Sequence, residues 1–302
     1  MTSFKYETAF QRNIGWVTTK EQSEISKKRI AIGGLGGVGG SYLITLSRLG
    51  FAKFNISDLD SFDLSNFNRQ YGASLKTIGE SKISVMEKHI HDINPNAELN
   101  IFPEGINKLN YIEFLKGADL YLDSLDLYAT PLRKLIFDYC YNNNIPIVTA
   151  APIGMTTSLL IFTSKGMSPR EYFGWKDEES VEQHIIRFLV GVSPRMKAIG
   201  DLIQEDGLQI ANKKLPSLAL GIEMSAAVAC SAVLKILLNR GEIKVAPYTC
   251  HFDAFNNEQY FTYRPFGARN PLTKLVRSIF EKRFLTSQRL IEKNIYSNNS
   301  CL

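Results

Sequence analysis

Apolar residues in the first half of the chain gather in short runs rich in β-branched residues, set apart by stretches with helical spacing. The runs are RIAIGG, KFNISDLD, ELNIF, DLYLDS and IPIVTA, each read as a strand. GLGGVGGSYLITLSRLG passes from a glycine loop into a helix, and a second helix is predicted from Glu80 to Ile93, stopped by Asn94-Pro95. Strand, helix, strand in this order predicts an α/β fold, a doubly wound, mostly parallel Rossmann-like sheet. Ligands of such sheets bind at the strand carboxyl ends, so the loops after Ile32, Asp58 and Asp123 are expected to share one crevice. From Pro152 onward the alternation weakens. TTSLLIFT and CHFDAFNNEQYFTY are strand-like, EESVEQHIIRFLVGV and LALGIEMSAAVACSAVLKILLNRG helix-like, and no linker separates this half from the first.

Composition narrows the class. At 302 residues, 44% hydrophobic and 22% charged, the chain is long enough for a large core and has the make-up of a soluble globular protein. Its net charge of +5 is concentrated at the end, where eight Lys and Arg from Arg264 onward face two Glu and leave the rest at −1. That argues against a nucleic-acid-binding core. In this tail Leu272, Leu275, Val276, Ile279 and Phe280 recur at helical spacing beside Lys274, Arg277 and Lys282, a basic amphipathic helix. It is read as packed on its own domain with a solvated basic side; binding to RNA such as tRNA, to an acidic peptide or to a membrane surface is the alternative. Pro216 to Leu238 is apolar enough to mimic a membrane span, but Glu223 and Lys235 interrupt it, and it is read as a buried helix. No leader is visible at the start, so a cytoplasmic protein with no membrane attachment is expected. Cys140, Cys230, Cys250 and Cys301 are scattered without zinc-ligand or redox spacing.

The chemistry sits in the first half. Gly34, Gly36 and Gly39, with Gly37 in the same run, fit a G-x-G-x-x-G loop between a strand and a helix, which lets phosphate approach backbone at a helix N-terminus. Asp58, at the end of the next strand, suits ribose hydroxyls. A nicotinamide dinucleotide fits equally well to this point. The stretch SNFNRQ then adds Asn66 and Arg69, and Lys82 follows at a helix start, more positive charge than a diphosphate bridge requires. A cation in the first turn opposes the helix dipole by about 0.3–1 kcal/mol, a conflict that bound polyphosphate removes; the alternative is an exposed lysine whose stem escapes the dipole. Asp60 and Asp126 offer hard oxygen ligands suited to Mg²⁺, although Asp123 or Asp126 could instead cap the helix that follows.

The chain resembles the ThiF/MoeB/HesA family, bacterial relatives of the ubiquitin-activating enzymes. FQRNIG, RIAIGGLGGVGG, DLDSFDLSNFNRQ, GESK, DINP, LDSLD and IPIVTAAPIG carry the likeness, clearly over about residues 8–165 and more faintly to about Pro271. The resemblance implies that Asp58 binds ribose, that Asn66, Arg69 and Lys82 hold the phosphates of ATP, and that Asp60 and Asp126 serve Mg²⁺. It implies that Arg12 reaches the nucleotide site of a partner subunit in a homodimer. The implied reaction is adenylation of a carboxylate with loss of pyrophosphate, on the C-terminus of a small protein or peptide or on a carboxylated small molecule or nucleoside. One ThiF-like unit is expected over residues 1–270, nucleotide-binding at about 25–165 and acceptor-recognising at about 166–270, followed by a basic helix and tail at 271–302. The chain departs from the family pattern in three ways. It lacks the two C-x-x-C pairs, so no zinc is expected. It has no cysteine between Thr163 and Pro216, and Cys230 is read as packing, so the acyl adenylate is expected to be handed directly to an acceptor or cyclised within its own substrate. Leu127 stands where relatives have Asn, and two extra residues leave Arg133 an uncertain match. SKGMSPREYFGWKDEES is read as a loop at the site mouth, with Tyr172, Phe173 and Trp175 a lid or local core. The alternatives to an adenylating enzyme are an NAD(P)-binding oxidoreductase, which leaves Arg69, Lys82 and Asp126 without roles, and a non-catalytic nucleotide-binding scaffold.

Overall fold

The structure, a computed structural model, describes residues 3–195, 203 and 215–282. Its eight strands are β1 (Arg29–Gly33), β2 (Lys53–Ser57), β3 (Glu98–Phe102), β4 (Leu120–Asp123), β5 (Ile147–Ile153), β6 (Thr156–Phe162), β7 (Tyr248–Asp253) and β8 (Glu258–Tyr263). They form one sheet in the order β3-β2-β1-β4-β5-β6-β7-β8. The pairs from β3 to β5 are parallel, and β6, β7 and β8 join antiparallel. The helices are α1 (Tyr6–Ala9), α2 (Thr19–Ile25), α3 (Gly37–Arg48), α4 (Lys82–Ile93), α5 (Tyr111–Leu115), α6 (Thr130–Asn142), α7 (Pro169–Phe173), α8 (Val181–Val192) and α9 (Ala219–Leu237).

Alternate residues of β1 show how the sheet is covered. Ile30 and Ile32 face a core with Tyr42, Leu43 and Leu46 of α3, Met86 and Ile90 of α4, and Ala226, Ala229 and Val233 of α9. Ala31 faces the other side, with Phe114 of α5, Phe137 of α6, Tyr172 and Phe173 of α7, and Phe188 of α8. Helices on both faces explain why the central parallel strands β1, β4 and β5 read as nearly continuous apolar runs, while the edge strand β3 mixes in polar residues.

α9 is long and apolar enough to cross a membrane, yet it lies on α3, β5 and β6. Gly221 is so close to the sheet that a Cβ would stand 2.3 Å from the Gly154 carbonyl, and Ser225 hydrogen-bonds Thr157 at 2.7 Å. The buried-helix reading therefore holds. CHFDAFNNEQYFTY resolves into the hairpin β7–β8, turning through residues 254–257 with Asn257 at φ +56°. The expected loop SKGMSPREYFGWKDEES is corrected: it contains α7, ended by left-handed Gly174, and buries Tyr172, Phe173 and Trp175 as core. The helix at residues 271–282 uses a narrower face than its apolar pattern suggests. Val276 and Phe280 pack on Ile186 and Val190 of α8, and Thr273 is buried, while Leu272, Leu275 and Ile279 stay exposed. The rest of the predicted tail, 283–302, lies outside the described residues.

Candidate nucleotide site

The first crossover builds a glycine cradle at the start of α3. Gly34 sits at φ +104°, and a Cβ on Gly39 would lie 1.8 Å from the Gly34 carbonyl oxygen, so a side chain at either position would break the turn. Gly36 caps the start of α3, and Gly37 packs against Ile222 near the start of α9. Asp58, just past β2, holds this loop in place: its Oδ2 accepts from the Leu35 amide at 2.7 Å and its Oδ1 from the Asp60 amide at 2.8 Å.

On the β2 flank, Lys82 is the first residue of α4 and its side chain is 7% exposed. Nζ donates to Asp60 Oδ2 at 2.9 Å, and the Lys82 amide donates to the Asp60 carbonyl at 3.0 Å. The exposed-lysine alternative is thereby overturned. Burial and the positive end of the helix dipole both oppose this ammonium, and the half-exposed Asp60 carboxylate offsets them. Asn66 is buried and its Oδ1 accepts from the Asp63 amide at 3.0 Å; Asp63 in turn caps the short turn, and the Ser65 amide holds its carboxyl below the usual range. Half-buried Arg69 donates to the Ser65 carbonyl at 2.8 Å and Asn68 Oδ1 at 2.9 Å. Gln70 is buried beside Gly36 with its Oε1 unpartnered.

On the β4 flank the two acids part company. Asp126 is exposed and caps the 3₁₀ turn Leu127–Ala129, accepting from the Tyr128 amide at 2.8 Å. Asp123 is buried: its Oδ2 accepts from Arg133 Nε and Thr149 Oγ1, both at 2.9 Å, and its Oδ1 from the Tyr121 hydroxyl at 3.2 Å and the Leu125 amide at 3.4 Å. Ser124 Oγ donates to the carbonyls of Gly33 at 3.0 Å and Gly34 at 2.7 Å, tying the turn after β4 to the glycine loop. The three expected loops therefore do meet, at the carboxyl ends of β1, β2 and β4. Sequence reading assigned nothing to Ser124 and left Arg133 open; the only signal was an acid ending a wholly apolar strand.

Among the described residues no group of three His, Cys, Asp or Glu side chains gathers as a metal cage. Asp60 and Asp126 stand on loops to either side of β1, single exposed carboxylates that fit a cation held mainly by phosphate oxygens and water. Arg12 is not brought to this crevice. It lines a groove of about 500 Å³ with Leu234, Lys235 and Leu238 at the far end of α9, whereas the glycine loop touches that helix at Ile222. The 16 residues from Ile222 to Leu238 correspond to about 24 Å of helix. Cys140, Cys230 and Cys250 are buried, and burial pushes the Cys140 and Cys230 thiols far above their ordinary range. Cys301 lies outside the described residues. His184 meets the Lys176 carbonyl at 3.0 Å, and His251 stacks on Tyr260; neither enters the crevice hydrogen bonds.

A glycine cradle at a helix start, an acid just past the second strand and a buried lysine beside them mark a Rossmann-like fold. The ThiF family matches residues 10–275, and this chain belongs to it. It is 31% identical over 154 residues to a tRNA threonylcarbamoyladenosine dehydratase of Haemophilus influenzae, covering 50% of this chain and 58% of the relative. It is 33% identical over 123 residues to a probable molybdopterin-synthase adenylyltransferase of Porphyra purpurea, covering 41% and 32%. The matched region thus spans well under two thirds of each relative. Among solved structures, PaaA superposes with a TM-score of 0.66 at 16% identity over 87% of this chain and 84% of that one. Escherichia coli MccB with succinimide gives 0.64 at 17%, covering 89% and 75%. The E. coli tRNA N6-threonylcarbamoyladenosine dehydratase in complex with AMP gives 0.59 at 18%, covering 79% and 98%. At these identities the likeness is one of fold.

Proposed function

We propose that this protein is an ATP-dependent adenylyltransferase that joins a carboxylate to AMP and releases pyrophosphate. The observation that carries this reading is the Lys82 ammonium, buried at the N-terminus of α4 with only the half-exposed Asp60 beside it. The carboxylate oxygen attacks the α-phosphorus, the bond to the bridging oxygen breaks, and pyrophosphate leaves with the negative charge. No general base is needed, since the nucleophile is already ionised. Lys82 and Arg69 meet charge building on the phosphates, the α3 N-terminus and glycine loop receive phosphate oxygens, and Asp58 holds the ribose. Asp60 and Asp126 would hold Mg²⁺, which neutralises polyphosphate charge. Relatives named as adenylyltransferases support this class. For the substrate we favour a peptide or small-protein C-terminus, in keeping with MccB structures that contain MccA, with a carboxylated small molecule or nucleoside as the second class. The buried state of Cys140, Cys230 and Cys250 favours hand-over of the acyl group without a thioester on any of the three.

Since Arg12 lines a groove at the end of α9 remote from its own cradle, a part for it in the reaction calls for a second copy. We propose a homodimer in which each Arg12 serves the other's nucleotide. The test is pyrophosphate–ATP exchange over a panel of peptides with free C-termini and small carboxylates, preceded by calorimetric binding of Mg·ATP, NAD⁺ and NADH. Mg·ATP binding without dinucleotide binding is expected; dinucleotide binding indifferent to Lys82→Ala would return the protein to hydride chemistry. Arg12→Ala and Lys82→Ala, each inactive alone, should regain about a quarter of wild-type exchange when mixed as equal, freely exchanging subunits. No recovery in subunits shown to mix would remove the in-trans role.

A further inference from the structure

Arg133 is among the most completely buried charges of the described residues. It and Asp123 are each 2% exposed, and their Nε–Oδ2 separation is 2.9 Å. The rest of its fork reaches the turn after β4: Nη2 donates to the Leu125 carbonyl in a short contact. Asp123 grips the same residue from the other side by accepting from the Leu125 amide at 3.4 Å. The peptide units flanking Leu125 are thus held by two side chains that also hold each other. The Arg133 guanidinium carbon lies 4.2 Å from the centre of the Phe188 ring, which fixes the fork against α8. A buried ion pair is weak evidence of stabilisation, because apolar residues of similar volume often replace one at no loss. What an apolar pair would not supply is grip on the Leu125 backbone.

That backbone has two neighbours that matter. Ser124, one residue before, hydrogen-bonds the Gly33 and Gly34 carbonyls and so sets the floor of the cradle. Asp126, one residue after, presents its carboxylate to solvent at the crevice. We propose that Arg133 is a positioning residue for the nucleotide site: with Asp123 it clamps residues 124–126 so that the glycine loop and the Asp126 carboxylate keep one geometry. The proposal rests on the adenylylation reading for its role in catalysis, but the clamp itself is testable without ATP.

The experiment uses the full chain carrying Arg133→Lys, which keeps charge and loses the fork, and Arg133→Met with Asp123→Leu, which removes both charges together. Hydrogen exchange of the amides at 124–128, thermal melting and calorimetric Mg·ATP binding are read on each. We expect exchange at 124–128 to quicken at least tenfold in both variants. Mg·ATP affinity should fall tenfold or more even where the charge-free variant melts within a few degrees of wild type. Ser124→Ala should weaken Mg·ATP binding too, and adding it to the charge-free variant should cost less than the two losses combined. Unchanged exchange at 124–128 in a folded charge-free variant overturns the clamp. Full Mg·ATP affinity in that variant overturns its link to the site. If the wild type itself binds no Mg·ATP, the adenylylation reading fails, and the exchange measurement still decides the clamp.

Discussion

The two flanks of the glycine loop each carry an ion pair, and they are built to opposite ends. On the β4 side Arg133 and Asp123 are both 2% exposed, and Thr149, Tyr121 and Leu125 occupy the remaining acceptor capacity of the carboxylate. On the β2 side Lys82 is equally enclosed, at 7%, but Asp60 is 59% exposed. Both members of the first pair are shut away from solvent, whereas the second pairs a buried cation with a solvated carboxylate. A lysine has three donors, and the Lys82 ammonium meets one side-chain acceptor here, while the Arg133 fork gives Nε to a carboxylate and Nη2 to backbone. Burial of the cation alone therefore does not distinguish the two pairs; the exposure of the counter-ion does.

The comparison breaks first at Asp123. Asp123→Ala leaves the Arg133 charge buried without its partner and should cost about 3–5 kcal/mol in urea unfolding; a loss below 1 kcal/mol would mean the pair is no more closed than its counterpart. Lys82→Ala should act the other way round, weakening Mg·ATP binding about a hundredfold while shifting stability by about 1 kcal/mol or less, because its partner remains solvated. Calorimetry and melting on the same sample check both halves. A third buried group sharpens the contrast by being kept neutral. Burial, aided by nearby Arg195 and opposed by Asp253, lowers His251 from 6.5 to about 4. The unfolded chain then binds more protons between those values, so stability should fall as pH drops from about 6.5 towards 4 and level off below, by at most about 3 kcal/mol. His251→Gln should flatten that part of a melting curve against pH; an unchanged acid limb would show that other groups set it.

Much of the crevice was legible because glycine spacing and strand ends are local. Gly34 and Gly39 are required by a turn a few residues long, and the ends of β1, β2 and β4 follow from where apolar runs stop. The burial of Lys82 was half-legible, since its position at a helix start raised the dipole conflict but not its enclosure. Arg133 was not legible, because its partner is chosen by how α6 settles on the sheet. The same holds for the 271–282 helix, where five apolar residues share a stripe and α8 selects Val276 and Phe280. The aromatic trio at 172–175 was ambiguous for a similar reason: a cluster near a glycine reads alike as lid or core until the facing residues, Phe137, Phe162 and Phe188, are in place.

The sheet itself limits how this molecule can move. β5 and β6 pair along seven residues each, from Ile147 opposite Phe162 to Ile153 opposite Thr156, and β7 and β8 continue without a gap. A hinge between the nucleotide-holding strands and the strands beyond them would have to unzip that ladder, so bending about this line is a stiff mode and not a gate. Movement near the glycine loop is then left to the turns above the strand ends, over a frame that keeps its shape.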